Sequence, residues 1–125
     1  MPLKPGLSAD ISMIVSESDT AIAFRSGEVP VLATPRVIAL MEEAAITAVH
    51  PQLDDGFSTV AVRVQVEHIS PTAIGGSVKA EATLEKIEGR RLTFQVTARD
   101  ERGLVAAGKV TRVLVDVARF LEKTN

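Results

Sequence analysis

The 125 residues contain no cysteine, which rules out a disulfide framework and a thiolate metal site. Tryptophan and tyrosine are also missing, and phenylalanine occurs only four times. The core must therefore be built from Val, Ile, Leu and Ala, and the chain has none of the aromatic platforms on which single-stranded nucleic acids stack. There is no basic excess either. A formal net charge of −2 and a pI near 5.7 lack the positive footprint of a nucleic-acid binder. Two histidines offer little material for a transition-metal centre, so neither a metal nor a nucleic-acid partner is expected. The opening MPLKPGLSAD lacks the continuous apolar run of a signal peptide. No stretch approaches the roughly 20 apolar residues of a membrane span. The expectation is a soluble, cytoplasmic protein without a membrane partner.

What is present is ordinary globular material, 46% hydrophobic and 24% charged, in a length that suits one domain over 1–125. Residues 10–16 carry enough β-branched and apolar side chains for a first strand, and 19–24 read as its continuation or partner. Thr34-Pro35 reads as a helix start, with Thr capping the free amides and Pro in the first helical position. The helix then runs from Pro35 to about Val49 and ends at His50-Pro51. Its apolar residues Val37, Ile38, Leu40, Met41, Ala44, Ala45 and Ala48 occupy most of the circumference, so a sheet should wrap it. Four strands are expected after Phe57, at about 58–69, 77–88, 91–100 and 104–117, separated by glycine-containing turns. A short helix near 118–123 closes the chain. One long apolar helix followed by an antiparallel meander predicts an α+β hotdog fold, an antiparallel β-sheet wrapped round one central α-helix. A cystatin-like cone is the structural rival, but it usually places more helix ahead of its sheet.

Three polar residues interrupt this pattern. In TVAVRVQVEH, residues 59–68, period-2 alternation places His68 on the face of Val60, Val62, Val64 and Val66, which should be the buried one. A histidine there loses hydration unless it is partnered, and its ordinary pKa of about 6.5 suits proton transfer near neutral pH. Glu42 and Glu43 lie in the most apolar helix without a basic partner in their own turns. One of them should be partly buried, as suits a general base. Thr34 taken alone reads as a cap. His50, at the negative end of the helix dipole, reads as structural. Arg90, Arg91 and Arg102 read as solvated turn residues. Arg112 falls in apolar register with Val110 and Leu114, so it needs an acidic partner or a ligand.

VLATPRVIALMEEAA, residues 31–45, and VEHISPTAIGG, residues 66–76, resemble the hotdog thioesterases of the fluoroacetyl-CoA thioesterase type. That family carries a Thr at the helix start, a Glu eight residues later and a His about 26 further on, an order matched by Thr34, Glu42 and His68. GRRLTFQVTARDERGLVAAGKVTR, residues 89–112, resembles its hairpin and terminal strand. The resemblance implies hydrolysis of an acyl-CoA or related acyl thioester without cofactor, with Thr34, Glu42 and His68 catalytic. Substrate would be bound by Pro35 and Arg36 at the helix start and by Arg112. It also implies a site between paired subunits, hence a homodimer at least, with tetramers left open. Thr34 and Glu42 on one ideal helix would lie about 12 Å apart along its axis, so a single site using both must bring them together through the loop geometry at residue 34 or across a subunit interface. Fluoroacetyl-selective members carry a phenylalanine-rich lid ahead of the Thr, whereas here that stretch is FRSGEVP, residues 24–30. This departure implies a small or medium acyl group without fluoroacetyl selectivity. A hotdog hydratase or dehydratase and a non-catalytic acyl-CoA-binding dimer are the rival functions.

Overall fold

The computed structural model describes residues 1–125. Strand β1 (Ser8–Ile14) leads through a 3-10 turn (Glu17–Asp19) and the four-residue helix α1 (Ala21–Phe24) to the long helix α2 (Thr34–Val49). Strands β2 (Phe57–His68), β3 (Ser77–Glu88), β4 (Arg91–Asp100) and β5 (Gly103–Asp116) follow, then helix α3 (Val117–Leu121) and a last 3-10 turn. All pairings are antiparallel and the sheet order is β1-β3-β4-β5-β2, so β1 and β2 are its edges. The expected four-strand meander holds only for β3, β4 and β5, because β2 crosses over to pair with β5 while β1 takes the edge of β3. The central helix and curled antiparallel sheet are those of the hotdog fold. A single strand ahead of the helix separates it from the cystatin-like plan.

The core lies between α2 and the inner sheet face. Val37, Leu40, Met41, Ala44, Ala45 and Ala48 of the helix meet Val78, Ala80, Ala82 and Leu84 of β3 and Leu92, Phe94 and Val96 of β4. Alternation along β3 and β4 is strict at these positions, so small and large apolar side chains interdigitate beneath the helix. Sequence and structure differ over the helix's other side. Ala39, Glu43 and Ile46 are exposed, because one five-stranded sheet covers α2 over β1, β3 and β4 and leaves the inner face of β2 largely open.

Residues 19–24 are not a strand. Thr20 accepts the Ala23 N–H and donates to the Glu17 carbonyl, which turns the chain into α1 in place of an edge pairing. β2 also departs from its alternation. Ala61 pairs with Arg112 and Arg63 with Thr111, so Val62 is the extra residue of a β-bulge. Residues opposite one another in an antiparallel pair share a face. Thr59 and Ala61 before the bulge, and Val64, Val66 and His68 after it, are therefore directed inward, while Val60 opposite Val113 is on the outer face. Further bulges occur at Glu85 in β3 and Val105 in β5, and these irregularities curl the sheet round the helix.

Two glycines permit close geometry. Gly89, at φ 62°, is the first of two residues joining β3 to β4, where a primed turn favours glycine. Gly108 faces the backbone of Gln65 and Val66 so closely that a Cβ there would overlap the Gln65 carbonyl. No helix is long and apolar enough to cross a membrane.

Candidate active site

Thr34 is the first residue of α2, but the position preceding the helix is taken by Ala33 and no side chain caps the helix. The hydroxyl is engaged elsewhere: Thr34 Oγ1 lies 2.7 Å from His68 Nδ1. This overturns the capping reading of Thr34. The Arg36 and Val37 amides are satisfied by the Ala33 carbonyl and Pro35 has no N–H, leaving the Thr34 amide as the free donor at the helix start.

A chain of backbone bonds brings together two residues 34 positions apart. After β2, the Ile69 and Ser70 amides both donate to the carbonyl of Val105, the bulged residue of β5. Thr72 accepts the Leu32 amide at its carbonyl, while its hydroxyl donates to Asp100 Oδ2 at 2.8 Å. Ahead of the helix, the Ala33 amide donates to the Asp19 carbonyl, and Arg36 Nε reaches Asp19 Oδ1 at 3.1 Å. Burial pushes the Asp19 carboxyl up, but the Ser16 amide and hydroxyl and Arg36 outweigh it and hold the group below the ordinary value. The helix start and the end of β2 are thus fixed to the same surroundings.

His68 is half-buried and its Nε2 is shielded from solvent without a hydrogen-bond partner. Burial holds its pKa below the ordinary histidine value, with the nearby Ser70 backbone opposing the shift. The ring is neutral near pH 7, as a base must be. With Nδ1 as acceptor for the Thr34 hydroxyl, the proton sits on Nε2, on a ring near the Ser70 backbone. A cavity of about 300 Å³ adjoins the pair, walled by Ala21, Val29, Val31, Leu32 and Ile69 with Ser26, Ser70 and Pro71. A larger cavity of about 450 Å³ beside Arg90, Asp116 and Arg119 contains neither member of the pair and no serine, threonine, cysteine or histidine.

Glu42 belongs to a second centre. It is the partly buried glutamate, with its side chain 28% exposed, whereas Glu43 is on the exposed face. Arg112 Nη1 donates to Glu42 Oε2 at 2.9 Å, Nε to Thr59 Oγ1 at 2.8 Å and Nη2 to the Thr59 carbonyl at 2.9 Å. The acidic partner that the register of Arg112 demands is therefore Glu42. Burial lowers the guanidinium pKa and the adjacent carboxylate opposes the shift.

The structure brings Thr34 and His68 together and leaves Glu42 two helical turns away, about 12 Å along the axis. Pro35 is exposed and absent from the cavity wall, and Arg36 is engaged by Asp19. The substrate-binding expectation for these two finds no geometric support. Thr59 was not legible as a site residue, because unbroken alternation places it on the outer face and nothing in TVAVRVQVEH announces the bulge.

Comparison with known proteins agrees with this architecture. The profile of the fluoroacetyl-CoA-specific thioesterase family matches residues 15–118. The fluoroacetyl-CoA thioesterase of Streptantibioticus cattleyicolor is 32% identical over 95 residues, covering 76% of this chain and 68% of that protein. A solved structure of the fluoroacetyl-CoA thioesterase FlK superposes with a TM-score of 0.92 at 27% identity, over 99% of this chain and 96% of the other. A thioesterase superfamily member from Thermus thermophilus gives 0.90 at 26% identity, over 98% and 91%. From its sequence, the order of its elements and its superposition, this chain belongs to the fluoroacetyl-CoA-specific thioesterase family.

Proposed function

We propose that this hotdog thioesterase hydrolyses acyl-CoA thioesters at a site that joins the Thr34–His68 pair of one subunit to Glu42 of a second copy. The observation that carries this reading is the 2.7 Å contact between Thr34 Oγ1 and His68 Nδ1 beside an apolar cavity. His68 takes a proton as the tetrahedral intermediate forms, either from the Thr34 hydroxyl as that oxygen attacks the thioester carbonyl or, relayed through the Thr34 hydroxyl, from a water that attacks in its place. The free Thr34 amide, at the positive end of the helix dipole, stabilises the oxyanion. The protonated ring returns its proton to the departing thiolate. On the direct route this already gives free acid and CoA; on the covalent route a water activated by the Glu42 carboxylate attacks the acyl-Thr34 ester, and its proton passes to the departing Thr34 oxygen as the free acid leaves. No step in this scheme requires a metal or organic cofactor.

A shared site is supported by the free edge of β2. The bulged Val62 and the inward Val64 are exposed in the single chain, and Ala61 beside them is also open. Pairing β2 with its own copy about a two-fold axis near residues 62 and 63 places His68 against the start of the other β2, where Thr59, Arg112 and Glu42 gather. The cavity wall favours a small or medium acyl group. FRSGEVP contributes Ser26, Gly27 and Val29 to that wall, and Phe24 is not part of it.

Complementation tests the shared site. His68→Ala and Glu42→Gln proteins, each inactive alone, are mixed and reassembled, and thiol release from an acyl-CoA panel is followed. About a quarter of wild-type activity is expected, since half the dimers are then mixed and each has one intact site. No recovery in demonstrably mixed dimers would place the site within one chain, and no thiol release by the wild type would overturn the hydrolase reading. Thr34→Val and Thr34→Ser then separate the two roles of the hydroxyl by the presence or absence of an acyl-enzyme burst.

A further inference from the structure

We infer that Thr59 is a positioning residue for the Glu42 carboxylate and acts on it through Arg112. The inference rests on the reading that Glu42 works on water or substrate. Arg112 is only 5% exposed, and its guanidinium is planar with donors in a fixed fork. Two of those donors, Nε and Nη2, end on Thr59, one on the hydroxyl at 2.8 Å and one on the carbonyl at 2.9 Å. Two anchors on one residue fix the guanidinium plane, and with it the direction in which Nη1 meets Glu42 Oε2 at 2.9 Å. The carboxylate is held by this single oxygen. Oε1 is left for a water or substrate, on a side chain that retains 28% exposure.

Thr59 suits the task for two reasons. Its β-branched side chain is stiff about χ1, so a buried hydroxyl there does not wander. The bulge at Val62 also shifts the phase of β2, so that Thr59 faces inward with Ala61 while His68, beyond the bulge, does so too. A strand without the bulge would point the Thr59 hydroxyl and the His68 ring to opposite faces. One irregularity therefore sets both the base and the anchor on the helix side of the sheet.

Steady-state hydrolysis of butyryl-CoA by Thr59→Val, Thr59→Ser and Glu42→Gln tests this, with activity expressed per folded protein from thermal melting and circular dichroism. Valine preserves the shape and the backbone carbonyl and removes the hydroxyl, leaving the buried Nε–H unpaired. The kcat is expected to fall about tenfold in Thr59→Val, with KM changed less than about twofold, and to stay within about twofold of wild type in Thr59→Ser. An unchanged kcat in Thr59→Val beside an inactive Glu42→Gln would overturn the positioning role and leave the Glu42 reading intact. A fully active Glu42→Gln would overturn that reading and this inference with it. Loss of kcat that serine does not restore, or that vanishes when scaled to folded protein, would reduce Thr59 to a structural residue.

Discussion

The two polar centres of the molecule are built on opposite principles. Thr34 and His68 share one hydrogen bond between neutral groups at the mouth of a cavity, and His68 Nε2 is left without a partner. Glu42, Arg112 and Thr59 form a charged cluster in which three donor groups of one guanidinium are satisfied. The first is suited to moving a proton, because a weakly held hydroxyl beside a desolvated base is easily reorganised. The second is suited to holding a charge still, because breaking a buried ion pair strands its partner. Chemistry that needs both a mobile proton and a fixed carboxylate draws on each.

The largest predicted effect separates the centres by what their loss does. His68→Ala should lower kcat/KM by about 10²–10⁴-fold while leaving thermal stability near that of wild type, since the ring contributes one hydrogen bond and one unpaired nitrogen. Arg112→Met should lower stability by about 3 kcal/mol, read by urea unfolding, because it leaves the Thr59 hydroxyl and the Glu42 carboxylate unpaired. Equal stability losses in the two variants would erase the distinction. Gly108→Ala should come next, at about 1–3 kcal/mol, because its methyl group meets the Gln65 carbonyl and forces β2 away from β5. As β2 carries both His68 and Thr59, this variant should disturb both centres together, and amide exchange along β2 would show it.

The smallest effect is in pH dependence. The His68 pKa is held below the ordinary value of 6.5 by burial, so kcat/KM should stay level as pH falls past 6.5 and decline only below it. Stability has the same direction. The unfolded chain takes up this proton first, so the stabilising contribution is present above 6.5 and is lost as pH falls through the lower, folded pKa. A limb centred at or above 6.5 would mean that the ring is more solvated, or more strongly partnered by an anion, than this structure shows.

Much of this was legible in the chain. Alternation in β3 and β4 and the apolar run of α2 are local patterns, and the structure follows them almost residue by residue. Thr34, Glu42 and His68 stood out because each breaks such a pattern, and the demand of Arg112 for an acidic partner followed from its register. Three things were hidden for a common reason. The Thr34 hydroxyl bonds His68 in place of its own helix, residues 21–24 coil because of a Thr20 cap, and Thr59 turns inward because of a bulge. In each case a local preference is met by a competing feature: for Thr20 it is a cap within three residues, and for Thr34 and Thr59 it depends on a residue distant in sequence or on an extra residue in the strand pairing.

The sequence by itself determined the fold class, the central helix, the four strands that follow it and the residue types of the candidate site, because periodic burial is written locally, whereas the pairing of β2 with β5 was not. Only the tertiary structure decided that these residues divide into two centres and that Thr59 joins one of them. Hydrogen-bond partners across 34, 53 and 70 positions are chosen by where the sheet bends and by which buried donor would otherwise go unpaired.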